Sequence, residues 1–560
     1  MHRAWHGRYD PGVPFSLAHP NWSLPDLLRR SAARYPDGPA LRFYGACLTY
    51  QELDTLATRF AASLRALGVR PQDRVAIMLP NLPQGLITYY GALRAGAVVV
   101  QINPLYVSSE IEAQLADSGS ETIVALDLFH SRIEPIRAHT ALKRIILTGV
   151  QDFLPPLRRL LYPLKARMNG QWPRIEKHSS LYELTEVLDQ SADGDSAPPP
   201  PLNPDDLALL QYSGGTTGTA KGVMLTHRNL VANALQCRYW VPDFRENHEV
   251  FLGVIPFFHA YGLSTCQHLA VMAGCPMILL PRFQVTEVLE AIEKYRVTIF
   301  SGIPAMFMKV AESPKARRYD LRSLRVCLSG ASPLRAEIQD RFRRLTGVEL
   351  SEGYGLTEAS PVTHCNPVYG EHPEGSIGVP FPDTEVRIVD LNSGERDVPV
   401  GELGELIVRG PQVMRGYWNK PAETRAVLRN GWLHTGDIAR EDARGYFYVV
   451  DRKKDMIKSR GETIYPREVE DVLCGHPAVR DAVVVGVPDP LLGEAVKAFV
   501  VPAEGQHPSE QELIGYCRKS LAKFKVPTSV EFRSELPRTF VGKALRRVLR
   551  EETPPKVGVG

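Results

Sequence analysis

The segment Tyr212-Ser-Gly-Gly-Thr-Thr-Gly-Thr-Ala-Lys-Gly222 constrains this chain more than any other, because glycines and hydroxyls packed so densely beside a lysine suit a turn that holds a polyphosphate. Gly214, Gly215, Gly218 and Gly222 permit positive φ and let backbone N–H groups approach an anion. The hydroxyls of Ser213, Thr216, Thr217 and Thr219 add donors, and Lys221 adds charge. The apolar run 207–212 reads as a buried strand, and a helix is expected from about Thr226, whose hydroxyl suits an N-cap. That strand, loop and helix order is the usual setting for a phosphate loop. A Walker loop needs Gly-Lys-Ser/Thr adjacent, whereas Thr219 and Ala220 separate Gly218 from Lys221, which disfavours a GTPase or an ordinary P-loop ATPase. A flexible Gly/Thr surface loop is the plain alternative.

At 560 residues and 44% hydrophobic, the chain is too long for one compact domain. Its 66 basic and 63 acidic residues balance too closely to suggest nucleic acid as a partner. Eight cysteines, at 47, 237, 266, 275, 327, 365, 474 and 517, contain no Cys-x-x-Cys pair and fit a reducing compartment better than a zinc or disulfide framework. Residues 1–20 lack a continuous apolar stretch, and no later window is apolar enough to span a bilayer, so neither a signal peptide nor a transmembrane helix is expected.

Helical spacing from Leu24, strand pairs over 40–50 and an amphipathic helix over 50–67 ended by Gly68 open an alternating pattern. Strands at 74–78 and 97–102 with helices at 84–95 and 110–118 make βαβ units and imply a parallel sheet covered on both faces. Residues 196–206 read as a stiff, proline-rich connector. A strand over 444–450 followed by Asp451-Arg-Lys-Lys-Asp455 reads as a hinge, and beyond it residues 452–560 carry nineteen Lys and Arg against fifteen Asp and Glu.

Further unusual segments follow the loop in order: Pro256-Phe-Phe-His-Ala-Tyr-Gly262, Leu328-Ser-Gly-Ala-Ser332, Glu352-Gly-Tyr-Gly-Leu-Thr-Glu358, Trp432-Leu-His-Thr-Gly-Asp437, Asp451-Arg-Lys-Lys-Asp-Met-Ile-Lys-Ser-Arg-Gly461 and Pro537-Arg-Thr-Phe-Val-Gly-Lys543. Together they resemble the adenylate-forming acyl-CoA synthetase superfamily, related to firefly luciferase and to peptide-synthetase adenylation domains. Leu79-Pro-Asn-Leu-Pro-Gln84, Gln101-Ile-Asn-Pro-Leu-Tyr106, Asp205-Asp-Leu-Ala-Leu-Leu-Gln-Tyr212, Phe524-Lys-Val-Pro527 and Val530-Glu-Phe-Arg533 look most like bacterial long-chain fatty-acid CoA ligases. The resemblance implies an α/β fold: a large N-terminal domain of βαβ-type sheets covered by helices, residues 1–451, and a small mobile α+β C-terminal domain, residues 452–560. It implies fatty acid, ATP, Mg²⁺ and CoA as partners, in a cytoplasmic enzyme whose oligomeric state is left open, a homodimer included.

Such an enzyme activates a carboxylate by attack at the α-phosphorus of ATP, giving acyl-adenylate and pyrophosphate; a thiol then displaces AMP. An anion attacks a polyanion, so placed positive charge is the main requirement. By resemblance Thr216, Thr217 and Lys221 hold the β- and γ-phosphates, with Ser213, Gly214, Gly215 and Gly218 completing the loop. Glu358 holds Mg²⁺, a cation that prefers hard oxygen ligands, and Thr357 donates to the α-phosphate. Tyr354 stacks on adenine beside Gly330 and Ala331, and Asp437 and Arg452 hold the ribose. Lys543 is the catalytic residue of adenylation. Lys454 matches the pivot of a domain rotation, at a position that is often acidic in the family, and Gly461 the passage of the pantetheine arm; Lys458 and Arg460 meet CoA phosphates or form a plain surface loop.

His259 is placed by resemblance where the acyl tunnel meets the CoA entry, a satisfied core histidine being the alternative. Gly355 stands where acetate-activating relatives carry a tryptophan that closes the pocket, and the aromatic turn lacks the aspartate that pairs with an amino group in peptide-synthetase domains. A medium- to long-chain fatty acid is therefore favoured. An aryl or coumarate-type CoA ligase, a synthetase loading an acyl carrier protein and a non-catalytic acyl or AMP sensor are the rivals. Residues 153–167 alternate Leu, Tyr and Arg or Lys as an interfacial helix does, which suggests peripheral docking on the inner membrane face. Pro155, Pro156 and Pro163 make an insertion loop the simpler reading there.

Overall fold

Near-continuous apolar runs such as Arg74–Met78, Thr122–Leu126 and Arg144–Thr148 form parallel strands buried on both faces, as the alternation of strand and helix requires. The computed structural model describes residues 4–553 apart from 171, 174, 191–199, 214–219, 460–461, 490 and 540–541. They divide into two compact units: Met1–Glu374 with Gly378–Glu385 and Arg409–Gly431, and Gly375–Ile377 with Val386–Val408 and Trp432–Gly560.

The first unit holds two large sheets. One orders eight strands as Gly416–Tyr417, Lys221–Thr226, Leu207–Ser213, Val98–Gln101, Arg74–Met78, Thr122–Leu126, Arg144–Thr148 and Leu181–Glu183. Its apolar core includes Met78, Val100, Ile123, Ile145, Leu210 and Tyr212. The other has nine strands, including Phe251–Gly253, Ile299–Gly302, Val326–Ser329, Leu350–Gly355 and Val362–Cys365.

The structure departs locally from expectation at two places. The helix expected from about Thr226 is present, but an unforeseen strand precedes it: Lys221–Thr226 pairs antiparallel with Leu207–Ser213. The helix His227–Trp240 follows, and Thr226 caps it by accepting from the Asn229 N–H at 3.2 Å. The prolines of 153–167 also do not dissolve the segment. Pro156–Met168 is a helix with Pro163 inside it, although proline there removes one backbone bond.

In the second unit, Trp432–Glu441 pairs antiparallel with Gly404–Arg409 and with Phe447–Arg452. A further sheet pairs Val479–Asp489 with Gly493–Pro502, and the latter runs parallel to Ser529–Phe532. Side chains alternate between its faces with period two. Val484, Val496, Ala498 and Val500 pack on the helices Pro466–Cys474 and Glu510–Ser520 through Leu473, Leu513 and Cys517. Val483, Val485, Phe499 and Val501 on the opposite face take Leu549 from the helix Arg546–Glu551.

All eight cysteines are free thiols. Among the described residues no helix is long and apolar enough to cross a membrane.

Candidate active site

The hairpin stem fixes the approach to the glycine-rich turn. Tyr212 faces Gly222 and Ser213 faces Lys221 across the two strands. A Cβ at Gly222 would lie 3.2 Å from the Tyr212 ring and 3.3 Å from Trp418 Cβ, so a side chain here would crowd both residues. Trp418 returns the contact: its backbone N–H donates to Gly222 O at 2.8 Å, and its indole N–H donates to Asp117 O at 3.1 Å. Gly214, Gly215, Thr216, Thr217, Gly218 and Thr219 lie outside the described residues.

Lys221 emerges beside the short strand Gly416–Tyr417, its ammonium 5.1 Å from the centroid of the Tyr417 ring. Among the described residues no carboxylate lies within ion-pair distance of it. The Tyr417 hydroxyl donates to Glu358 Oε1 at 2.8 Å. Tyr417 thus lies between Lys221 and Glu358, the carboxylate expected to hold a metal. Burial, reinforced by the Glu358 charge, raises the phenol pKa far above its usual value, so Tyr417 stays a donor at neutral pH. Half-buried Glu358 sits in the short turn Thr357–Ala359, whose carbonyl at 358 also accepts from the Met414 N–H at 2.8 Å.

The aromatic turn is held by amides. Asn81 donates to Gly253 O at 2.9 Å and to Ile255 O at 2.8 Å, and accepts from the Phe257 N–H at 2.8 Å. Gln211 donates to Phe258 O at 2.9 Å. His259 caps the turn Ala260–Gly262, its Nδ1 accepting from the Tyr261 N–H at 3.2 Å. Tyr261 reaches the opposite strand ends, donating to Leu328 O at 2.8 Å, and its ring lies 3.1 Å from where a Cβ at Gly330 would stand. Ala331 next to it has φ of +69°, an uncommon conformation for a residue with a side chain. Tyr354, at the end of Leu350–Gly355, stands edge-on to His364 with 5.8 Å between ring centroids.

A second cluster lies wholly in the second unit. Asp437 and Arg452 are partners across adjacent strands, with Arg452 Nε 3.1 Å from Asp437 Oδ1, and Asp437 is 3% exposed. Lys543 is exposed, with the charges of Arg452, Lys454, Asp437 and Asp455 around its ammonium. Desolvation pushes its ammonium pKa down to about 7; repulsion from Arg452 and Lys454 adds to the shift, while Asp437 and Asp455 oppose it. Lys454 is pushed down to about 8, again chiefly by desolvation, against the pull of Asp455. Lys458 is exposed; its backbone N–H donates to Glu494 Oε2 at 2.6 Å and its ammonium to Thr463 Oγ1 at 2.6 Å. Gly461 and Arg460 lie outside the described residues.

Arg546, three residues after Lys543, does not reach into solvent. Its guanidinium instead meets Glu470 at 2.7 Å, Asp455 at 3.2 Å and Asp451 at 3.6 Å. Leu549, one turn further along, is 1% exposed in the sheet core. Sequence reasoning missed Tyr417, Asn81 and Arg546 as individual residues. The segment 79–84 carried the signal for Asn81, and the aromatic pair Tyr417-Trp418 after Gly416 the signal for Tyr417.

Each unit thus holds one cluster of charged and aromatic groups, Lys221 with Tyr417 and Glu358 in the first and Asp437 with Arg452 and Lys543 in the second. A family model of AMP-binding enzymes matches residues 28–418, and the C-terminal domain of AMP-binding enzymes matches residues 468–543. A Long-chain-fatty-acid–CoA ligase of Bacillus subtilis (strain 168) is 45% identical over 551 residues, 98% of each chain. A Feruloyl-CoA synthase of Amycolatopsis is 40% identical over 522 residues, 93% of this chain and 97% of that one. Among solved structures, ATP-bound MatB from Rhodopseudomonas palustris superposes with a TM-score of 0.83 at 29% identity, covering 95% of this chain and 99% of that chain. The chain belongs to the AMP-binding enzyme family.

Proposed function

We propose that this protein is an AMP-forming, medium- to long-chain fatty-acid CoA ligase. The fatty carboxylate attacks the α-phosphorus of ATP and expels pyrophosphate. The CoA thiolate then attacks the acyl-adenylate carbonyl and expels AMP. The observation that carries the substrate class is the likeness, over 98% of both chains, to the Bacillus subtilis Long-chain-fatty-acid–CoA ligase.

In this reading Lys221, with Ser213 and the loop residues Gly214, Gly215, Thr216, Thr217 and Gly218, holds the phosphates. Thr357 donates to the α-phosphate, Tyr354 stacks on adenine beside Gly330 and Ala331, and Asp437 and Arg452 hold the ribose. Mg²⁺ suits Glu358: a hard oxygen ligand fixed by Tyr417, with the remaining positions left to phosphate and water. Bound there, it would neutralise phosphate charge. Lys543 faces the carboxylate and α-phosphate, and His259 lies where the acyl chain meets the thiol. Residues 1–451 and 452–560 are the two functional bodies, rotating about the Asp451–Lys454 segment between half-reactions. Lys458 and Gly461 serve the CoA step.

The experiment is AMP release with ATP, Mg²⁺ and CoA across saturated acids from acetate to stearate, with coumarate and ferulate. A maximum at long straight chains is expected. A maximum at ferulate moves the chain to the aryl reading, which the Feruloyl-CoA synthase relative favours. Silence throughout removes the CoA-ligase reading.

We also propose that the helix Pro156–Met168 rests on a lipid surface. Leu157, Leu160, Leu161 and Leu164 recur at helical spacing and are exposed by 69%, 76%, 53% and 61%, with Arg158, Arg159 and Arg167 on the same helix. The wild type is expected to float with anionic liposomes and Leu160→Asp with Leu164→Asp to remain in the aqueous fraction, octanoate activation being unchanged. Equal flotation of both proteins sinks the assignment.

A further inference from the structure

The chain leaves the strand Thr122–Leu126 and, before and after the strand Arg144–Thr148, makes the excursion that carries the helix Pro156–Met168; it returns at Leu181–Glu183. At the root of this excursion three side chains converge, far in sequence from every residue assigned above to the reaction. His130 opens the helical turn His130–Ile133, Glu134 follows one turn later on the same face, and His178 comes from the segment before Leu181–Glu183. His130 Nε2 lies 3.7 Å and His178 Nε2 3.3 Å from the same oxygen, Glu134 Oε2. All three atoms lie within 4.8 Å of one another.

What these atoms lack points to a ligand. None of the three atoms makes a well-formed hydrogen bond, although both histidine nitrogens stand within ion-pair distance of the carboxylate oxygen, and His130 as a whole is only 8% exposed. Long contacts of this kind compensate only part of the hydration that buried polar atoms lose. Three potential ligand atoms within 4.8 Å of one another are close enough to share a single cation.

We infer that His130, Glu134 and His178 form a divalent transition-metal site, suited to zinc. Two imidazole nitrogens and a carboxylate oxygen are a ligand set that zinc takes, with water completing a tetrahedron. Bonds of about 2.0–2.1 Å would put neighbouring ligand atoms roughly 3.4 Å apart, and the two measured edges, 3.3 and 3.7 Å, bracket that spacing. Arg137 Nε donates to the other Glu134 oxygen at 2.8 Å and orients the carboxylate. His178 Nδ1 accepts from the Ser180 N–H at 3.3 Å, so without metal the ring proton sits on Nε2. Loading the site moves that proton to Nδ1 and opens this long contact. The metal is structural. It fastens the two ends of the excursion together and thereby sets the base from which the Leu-rich helix projects.

The test uses full-length protein stripped with EDTA, with zinc titrated in competition with a chromophoric chelator and without nucleotide. One equivalent per chain is expected for the wild type, and none for His178→Gln or Glu134→Gln at unchanged AMP release. Cobalt in place of zinc should give tetrahedral visible bands without a thiolate charge-transfer band, and zinc should slow amide exchange across 130–180. Failure of the wild type to compete for zinc overturns the site, as does unchanged stoichiometry in folded variants or a thiolate band from the cysteines. The cobalt spectrum of the wild type decides even if both variants misfold.

Discussion

Lys543→Ala is expected to lower acyl-adenylate formation by about 10²–10³-fold or more, the usual cost of removing a group that stabilises transition-state charge. Conversion of a supplied acyl-adenylate to the thioester should continue. The argument starts from how the lysine is held. Leu549 packs the following helix into the sheet, and Arg546 is gripped by Glu470, Asp455 and Asp451, so the backbone at 543 is anchored from both the apolar and the ionic side. The ammonium itself stands among Arg452 and Lys454, and crowding holds its pKa at about 7. In the proposed reaction this concentration of positive charge, unfavourable in the free protein, becomes favourable when phosphates and a carboxylate arrive, which is differential binding of the more highly charged state.

The signs follow. A lysine whose pKa is depressed destabilises the fold fully below about 7, and that cost is relieved as pH rises from there towards the ordinary 10.5. Lys543→Ala should therefore leave thermal stability equal or slightly raised at neutral pH, which separates lost catalysis from lost folding. For the wild type, kcat/KM of adenylation should fall as pH rises through about 7 to 8, the range in which the coupled pair Lys543 and Lys454 loses protons. The corresponding limb of kcat should lie at higher pH, because bound ATP favours the protonated lysine. Equal loss of both half-reactions in the variant, measured by pyrophosphate release and by thioester formation from acyl-adenylate, would sink the assignment.

Where local chemistry and tertiary structure agree, the elements were legible from residues alone. The strand Arg74–Met78 and the Thr226 cap are cases, since an apolar run between turns and a hydroxyl before a helix carry their own signal. Lys221–Thr226 was not legible as a strand. Its burial does not alternate, and its partners include Gly416–Tyr417, almost two hundred residues away, so no window of sequence contains the pairing that defines it. Pro156–Met168 misled in the opposite direction, because a proline inside a helix costs one bond that the remaining turns outweigh. Arg546 shows the limit for side chains. Its partners Glu470 and Asp451 come from distant elements, so no window of sequence contains the pairing. The motifs name candidate site residues, whereas the contacts of Tyr417, Asn81 and Arg546 join elements far apart in the chain.

Gly355→Trp is expected to depress adenylation of every acid, about 10- to 100-fold, rather than convert the protein to acetate use, and Gly355→Ala should already show most of the loss. These factors correspond to the roughly 1–3 kcal/mol that overpacking costs, at about 1.4 kcal/mol per factor of ten. By resemblance the glycine keeps an acyl pocket open, yet the strand pairing gives a second reason for it. A Cβ at 355 would stand 2.2 Å from Pro361 O, 2.7 Å from its carbonyl carbon and 3.0 Å from Val362 Cα. These are backbone atoms and cannot rotate aside. The same Pro361 carbonyl accepts the Leu356 N–H at 3.0 Å, so displacing it loosens the turn that carries Thr357 and Glu358 and shifts Tyr354 on the other side. Damage should therefore reach the nucleotide end of the site and raise KM for ATP along with the loss in kcat. Alanine separates the two accounts, because one methyl group is too small to close a tunnel but carries the whole backbone clash. If Gly355→Ala keeps wild-type rates on palmitate while Gly355→Trp gains acetate activity at unchanged KM for ATP, position 355 acts as a gate and the strand yields to it. If alanine alone raises KM for ATP and lowers turnover at all chain lengths, the glycine is there to let two strands of the nucleotide site touch.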